Sequence, residues 1–522
     1  MPVHAGMPAI DAAASFSECV ALRDKRSTMT FAELDRGANR VAGGLAAFGI
    51  GGGERVAVLA QNRSEVVELW LACERAAFVR VVLHSHFDMT MHRETLRSSG
   101  AAVLVFDARF ADAVAEQRHE LEDVRLFVAI GGKGLDWAVG FDELRERGSE
   151  DFALVEIDED APFCIQPTTG TTGAPKPWLV THRGWRALIA HNLMHLDALG
   201  PTPVAGDDVN LHVHALQWAS GAQTLLPYML RGAETVLLDD AAFDPNEIVA
   251  AIHRYGVTGL LLPAPMLTPV LDVIEAHPSL EHRIRRLVTL FATPELLERT
   301  TRVLGPVWCH AYGSTEQGAP VTRLAAGEVA EAGRIASVGR KASPFVELAI
   351  MDDAGSFLPS GAVGEIVVRS PMSSSSYWQD RELTDAAFYP GEWFRSRDLG
   401  YLDEHGFLFY VDRANDAILT AEGTVYPHEV EAAVMAHPAV ANCGVVGLGD
   451  AGTQKLVAAV LLKEDVERSA DLGDEIEASV AGSLDERARP EIVFVEDLPT
   501  VLGGAKVQRD PLRTQLMGER IS

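Results

Sequence analysis

Short apolar runs separated by helix-patterned segments constrain the fold of this chain more than any other feature. VAVLA (56–60), VRVVLH (79–84) and AAVLVF (101–106) follow one another at intervals that leave room for a helix between them. Such alternation predicts a parallel sheet with helices on its faces. TFAELDRGANRVAGGLAAF (30–48) carries apolar positions at helical spacing, and Thr30 with Glu33 makes a capping box at its start. A second helix is expected around residues 65–76. The pattern returns in ETVLLD (234–239), a helix over 245–255 and TGLLLP (258–263).

The character of the chain changes after Gly361. GEIVVRSP (364–371) and GFLFYV (406–411) read as strands of a more β-rich region. From Tyr426 a smaller unit follows, with a helix starting at Pro427 and the runs CGVVGL, KLVAAVLL and EIVFV around an acidic helical segment. The expected class is α/β. A large N-terminal domain has mixed, mostly parallel sheets, flanking helices and a β-rich subdomain, and a small α+β C-terminal domain follows it.

Charge and cysteine usage narrow the function classes. The 522 residues hold 45 Lys+Arg against 74 Asp+Glu, a net charge of −29. That balance opposes binding to nucleic acid or anionic membrane, which needs Lys and Arg to neutralise phosphate. Five scattered cysteines without a C-x-x-C pair suggest neither a zinc knuckle nor a disulfide framework, and their odd number fits reduced thiols in a cytoplasm. Residues 1–17 lack the basic start and apolar core of a signal peptide. No run approaches the ~18 apolar residues that span a bilayer. The expectation is a cytoplasmic protein without membrane insertion.

TTGTTGAPK (168–176) is the densest chemical signal. Glycine lets the backbone curl close to a ligand, and successive N–H groups then form a nest for anionic oxygens. The threonine hydroxyls and Lys176 add donors and charge. The spacing is not the G-x-x-x-x-G-K-[ST] of nucleotide P-loops. On composition alone, a flexible surface turn is the competing reading.

This loop resembles the T-S-G-T-T-G-x-P-K-G signature of the adenylate-forming superfamily, which includes acyl- and aryl-CoA synthetases, luciferases and peptide-synthetase adenylation domains. AYGSTE (311–316) is similar to the family's aromatic-Gly-x-Thr-Glu. WFRSRDLGYLDEHGFLFYVDR (393–413) matches its T-G-D…D-G…G-R block, YPHEVEAAVMAHPAV (426–440) the first helix of its C-terminal domain, and GAKVQRDPLR (504–513) its terminal G-K-x-x-R segment. The resemblance runs from about Thr30 to Arg513 and points most directly to AMP-dependent acyl- and aryl-CoA ligases.

The resemblance implies a role for each motif. Thr168, Thr169, Gly170, Thr171, Thr172, Gly173 and Lys176 would cradle the β- and γ-phosphates of ATP. Tyr312 and Gly313 would belong to the nucleotide site, Tyr312 by stacking on adenine. Thr315 would contact the α-phosphate and Glu316 would hold Mg²⁺, which accepts a single carboxylate among oxygen ligands. Asp398 would take the ribose hydroxyls, assisted by Arg413. Lys506 would be the catalytic lysine, neutralising charge between the attacking carboxylate and the α-phosphate. Asn415 would be the hinge between an adenylation domain, 1–412, and a mobile C-terminal domain, 413–522.

The sequence also departs from the family. Pro177 and Trp178 stand where Gly and a small apolar residue are usual, and Pro177 removes a backbone donor. Phe291 and Ala292 replace a Gly-Gly pair, so a bulky ring is expected to narrow the pocket. Val82 and His84 replace the usual Pro and Asn. Glu422 and Gly423 exchange the order of a loop that often lines the pantetheine tunnel, and one extra residue lies between Pro499 and Lys506.

The acyl pocket is expected around HVHALQWASG (212–221), with His214, Gln217 and Trp218 joined by Phe291, Ala292 and Ala311. Trp218 could equally be a packing residue. No acid lies between His212 and Leu230, which disfavours an α-amino acid. His212 and His214 have the spacing of a strand face, but no third metal ligand is evident, so core or pocket roles are favoured. The expected activity is ATP-dependent conversion of an aryl or small hydrophobic acid to an acyl-adenylate, then to a CoA thioester, by a monomer or homodimer. The alternatives are loading of a carrier protein, or a diverged adenylation such as that of nitrite in diazotising an arylamine. A silent binding protein fits poorly with the retention of Lys176, Glu316, Asp398, Arg413 and Lys506.

Overall fold

The structure is a computed structural model that describes residues 7–519, apart from 86, 133, 154, 169–175, 242, 330–332, 374–375, 450–452, 464–465, 482–483, 485–487 and 502–505. The first segments form as their sequence dictates. Thr30 caps the helix Phe31–Ala47 by accepting from the Glu33 N–H at 3.2 Å, while the Glu33 carboxylate accepts from the Thr30 N–H at 2.8 Å. The helix buries Phe31, Leu34, Ala38, Val41 and Leu45, spaced three or four apart. The helix Pro245–Tyr255 occupies the expected residues, started by the Asp244 side chain and stopped by Gly256 at φ +61°.

The apolar runs become the inner strands of an eight-stranded sheet. Its order is Ser376–Tyr377, Lys176–Thr181, Pro162–Thr168, Val79–Val82, Arg55–Leu59, Val103–Asp107, Leu126–Ile130 and Val139–Gly140. From Pro162–Thr168 onward every pairing is parallel. Successive residues of Val103–Asp107 feed different cores: Val103 and Val105 pack with Val56 and Val58, Leu104 and Phe106 with Ala57 and Leu59. Burial on both faces explains why these strands are continuously apolar rather than alternating.

A nine-stranded sheet follows the same logic, in the order Arg340–Lys341, Thr322–Ala325, Trp308–Tyr312, Arg286–Thr289, Gly259–Leu261, Val209–His212, Glu234–Leu237, Val20–Arg23 and Thr28–Thr30. The six strands from Trp308–Tyr312 to Val20–Arg23 are parallel. The β-rich region is a five-stranded antiparallel sheet of Glu347–Met351, Gly364–Arg369, Trp393–Leu402, Phe388–Tyr389 and Leu408–Arg413. It begins earlier than the shift noted at Gly361, with the edge strand Glu347–Met351, whose first three residues are exposed or half-buried.

The smaller C-terminal part pairs Val440–Leu448 with Lys455–Leu462 antiparallel and adds Glu491–Phe494 in parallel. Pro427–Met435, Ala470–Ala481 and Arg509–Glu519 are its helices. The expected α/β class, with a large N-terminal and a small C-terminal part, holds. Among the described residues no helix is long and apolar enough to cross a membrane. All five cysteines are free thiols, and burial pushes those of Cys73 and Cys309 up to about 12.

Candidate nucleotide and acyl site

In open parallel sheets, ligands bind at the carboxyl ends of the strands, where loops leave the sheet. Most of the expected site residues lie at such ends. Thr168 closes the strand Pro162–Thr168 and pairs with Lys176, which opens the next strand. The two residues form the base of a hairpin whose turn, with Thr169, Gly170, Thr171, Thr172 and Gly173, lies outside the described residues. One pair back, Pro167 faces Pro177, so this rung of the ladder has no donor. Trp178 is fully buried and meets Tyr377 and Phe394 edge-on at 5.0 and 5.6 Å. It anchors the hairpin, which a small residue at that position could not do.

Tyr312 ends the strand Trp308–Tyr312, and a tight turn follows through Gly313, Thr315 and Glu316. The Gly318 and Ala319 N–H groups close it on the Thr315 and Ser314 carbonyls at 3.3 and 3.2 Å. A Cβ on Gly313 would meet Ala319 and the Val321 nitrogen at 3.0 Å, so the turn requires glycine. Glu316 faces Tyr377, whose phenol is raised by burial first and by the Glu316 charge second. Because Tyr377 pairs with Trp178, Glu316 and the hairpin share one neighbourhood.

Asp398 is brought to the same place by a bulge. Ser396, Arg397 and Asp398 oppose a single residue, Ile366, where the register between Gly364–Arg369 and Trp393–Leu402 slips. Arg397 takes φ +62°, a left-handed conformation that costs an L-residue about 1 kcal/mol. Its N–H donates to Glu365 at 3.0 Å, and Ser396 Oγ accepts from the Asp398 N–H at 2.9 Å, which offsets that cost. The bulge re-aims Asp398. Its carboxylate accepts from the Tyr312 hydroxyl at 2.6 Å and pairs with Arg413 Nε at 3.2 Å. Burial, then Asp398, raises the Tyr312 phenol well above its ordinary value. Burial alone would lower the Arg413 guanidinium, but Asp398 and the phenols of Tyr410 and Tyr312 hold it above its usual range.

Beyond Arg413, Asn415 lies in the short turn Ala414–Asp416 that leads to the C-terminal part. Arg509 reaches back to it, bonding both Glu431 oxygens at 2.9 and 3.0 Å and approaching Asp416 at 3.4 Å. The backbone of Lys506 pairs with Val501 across a hairpin whose turn, 502–505, lies outside the described residues. Val507 is buried against Gly444 and Leu512 and seats that hairpin on the small sheet. The strand bearing Lys506 is thus tied to the segment around Asn415.

The acyl side is built by residues 213–218, between the strand Val209–His212 and the helix Ala219–Met229. Asn62, from the other sheet, holds this loop. Its Nδ2 donates to the carbonyls of His214 and Leu238 at 2.9 and 3.0 Å, and its Oδ1 accepts from Leu216 N–H at 2.7 Å. Gln166 Nε2 donates to the Gln217 carbonyl at 3.1 Å. The rings of His212 and His214 lie 4.2 Å apart, and Trp218 tilts over His84 at 4.9 Å. Burial lowers His214 to about 4 and His212 well below its usual value, so both rings are neutral at pH 7. No group of three metal-binding side chains occurs among the described residues.

The other expected pocket residues differ in placement. Phe291 takes φ +59° and is 54% exposed, so its ring stands away from the core. The Ala292 N–H reaches His310 Nε2 at 3.4 Å. Ala311 packs in an apolar cluster with Tyr228, Leu261 and Val288. Sequence reasoning missed Asn62, Gln166 and the Arg397 bulge, which act through backbone geometry and leave no motif. His84 was visible only as a departure from the expected Asn.

The donors present suit the nucleotide and metal expected. Glu316 and Thr315 offer hard oxygen ligands on a half-buried turn, as Mg²⁺ prefers. Asp398 and Arg413 offer a buried acceptor beside a cation.

Comparison with known proteins agrees with this arrangement. The model of the AMP-binding enzyme family matches residues 10–378, and that of the AMP-binding enzyme C-terminal domain matches 429–502. The chain is 30% identical over 502 residues to a feruloyl-CoA synthase of Amycolatopsis sp, covering 94% of this chain and 95% of that protein. It is 30% identical to an indoleacetate–CoA ligase of Aromatoleum aromaticum, covering 94% of each. Among solved structures, o-succinylbenzoate CoA synthetase from Bacillus subtilis in complex with its acyl-adenylate intermediate superposes with a TM-score of 0.83 at 27% identity, covering 97% of each chain.

Proposed function

Given that the chain belongs to the AMP-binding enzyme family and is an AMP-forming ligase that activates a carboxylic acid with ATP and passes it to CoA, we propose that its acid is aryl or otherwise small and hydrophobic. The observation that supports the residue assignments is the convergence of two separate motifs, Tyr312 from one and Asp398 with Arg413 from the other, beside the turn of Thr315 and Glu316. The hairpin of Thr168 to Lys176 holds the β- and γ-phosphates. Asp398 accepts from the ribose hydroxyls while Arg413 offsets its charge. Glu316 would hold Mg²⁺, which would supply charge neutralisation at the phosphates.

In the first step a carboxylate oxygen of the acid bonds to the α-phosphorus as the bond to pyrophosphate breaks. Thr315 and the Lys506 ammonium stabilise the negative charge that gathers on the α-phosphate oxygens. In the second step the CoA thiol gives its proton to water, its sulfur bonds to the acyl carbon, and the bond from that carbon to the phosphate oxygen breaks, releasing AMP. The chain beyond Asn415 turns about that residue between the steps, carrying Lys506 away and leaving Arg413 beside Asp398. A second reading, transfer to a carrier protein, draws on the 28% identity to a fatty acid–[acyl-carrier-protein] ligase of Streptomyces coeruleorubidus, over 81% of this chain.

The test is pyrophosphate release with ATP and Mg²⁺ over a panel of aryl and aliphatic acids, with and without CoA. An acyl-CoA identified by mass supports the main reading. Adenylate that forms a thioester only on an acyl carrier protein supports the second. Lys506→Ala is expected to slow adenylation by about a thousand-fold or more while ATP still binds. Undiminished adenylate formation in that variant would overturn the assignment of Lys506.

A further inference from the structure

The backbone of the acyl loop is satisfied, but its side chains are not. Gln217 is 1% exposed, and both of its side-chain amide atoms are buried without a hydrogen-bond partner. Its backbone carbonyl is engaged, by Gln166. At His214 the Ser220 backbone carbonyl lies close enough to favour a proton on the ring, yet neither ring nitrogen makes a full hydrogen bond. Buried polar groups are ordinarily paired, because leaving them unpaired forfeits their interaction with water. Two such side chains on one loop, at the strand ends where ligands bind, are groups arranged for something that arrives from outside.

The chemistry of that something is limited by what surrounds it. A primary amide donates through its nitrogen and accepts through its oxygen, and a neutral imidazole does the same through its two nitrogens. The residues from His212 to Leu230 include no Asp, Glu, Lys or Arg, so this segment offers a charged substituent no counter-ion. Trp218, the next residue, tilts over His84 and supplies a flat aromatic surface on the same loop. We propose that the activated acid is an aromatic acid bearing an uncharged hydroxyl or amino substituent on its ring, and that Gln217 and His214 recognise that substituent.

This inference rests on the ligase reading and deepens it. A plain hydrocarbon ring in the same place would bury the Gln217 amide unpaired, so the site discriminates against it. Sites built to hydrogen-bond a substrate hydroxyl reject the analogue lacking it far more strongly than an apolar pocket rejects a missing methylene.

The experiment compares matched acids by kcat/KM for pyrophosphate release: benzoate with its hydroxyl and amino derivatives, and cinnamate with its hydroxylated forms. The expected result is a preference of at least a hundred-fold for the substituted member of the pair that turns over fastest. Gln217→Leu keeps the side chain's bulk and removes its hydrogen bonding, and His214→Phe keeps a flat ring. Each is expected to lower the preference at least ten-fold. The ratio is read within one preparation, so any loss of folded protein cancels. A wild-type ratio near one, or ratios unchanged in both variants, would overturn the inference, because ordered water would then be meeting the needs of these groups. Release from unsubstituted acids alone overturns it while leaving the ligase reading intact. Silence with every acid, substituted or not, overturns the ligase reading and this inference together.

Discussion

The two ends of the candidate site solve opposite problems. Around Asp398 the charges are matched within the protein: the carboxylate has Tyr312 and Arg413, and the Arg397 bulge fixes its aim. Around Gln217 the groups are neutral and unmatched, and only their backbone is held. A group that must present one unvarying geometry, such as a nucleotide sugar, is served by a cradle that is rigid before it binds. A group that differs between related enzymes is served by a loop whose side chains await their partner. The difference teaches that preorganisation and specificity are placed on separate elements here.

The sharpest way to break the contrast is Asp398→Ala. It leaves Arg413 partly buried without its partner and frees the Tyr312 hydroxyl. We expect a loss of about 3 kcal/mol in stability, short of the larger cost of a fully buried pair. Thermal unfolding reads the loss, and weaker ATP binding should accompany it. An unchanged melting temperature would show the cradle to be dispensable.

The next effect is a pH dependence on the neutral side. Burial lowers His214 from its ordinary 6.5 to about 4. The unfolded chain therefore takes up a proton as pH falls below 6.5, while the folded ring stays neutral until about pH 4. The stability contributed by neutral His214 is full above pH 6.5 and is lost as pH falls through 4. Between those limits the wild type should lose about 3 kcal/mol more than His214→Phe. Melting curves from pH 4 to 7 that run parallel for the two proteins would contradict this. The smallest effect is expected of Tyr312→Phe, which removes one hydrogen bond to Asp398 and leaves the ion pair. It should weaken ATP binding by about 1 kcal/mol, measured by titration calorimetry.

Much of this was legible in the residues. The capping box at Thr30, the helix from Pro245 and the buried strands announced themselves because each is decided locally, by a side chain beside its own backbone or by unbroken apolarity. Tyr312, Asp398 and Arg413 were visible through their motifs, although the direct bond between Tyr312 and Asp398 was not. Phe291 was expected to narrow a pocket; neither its left-handed backbone nor its 54% exposure could be read from a lone phenylalanine. Trp178 had been an anomaly beside the phosphate loop, and it proves to be the residue that seats the hairpin. Asn62 was illegible, since a single asparagine carries no period and its partners lie more than a hundred and fifty positions away.

That asparagine has a consequence in time. The strand before Asn62 belongs to the first sheet, and the carbonyls it holds belong to the second. Closing so long a loop is among the slower acts of folding. During synthesis the first sheet's early strands leave the ribosome well before residue 214 does. The backbone of residues 214–216 therefore takes its final form only where the two halves meet, long after the strand before Asn62 has been made.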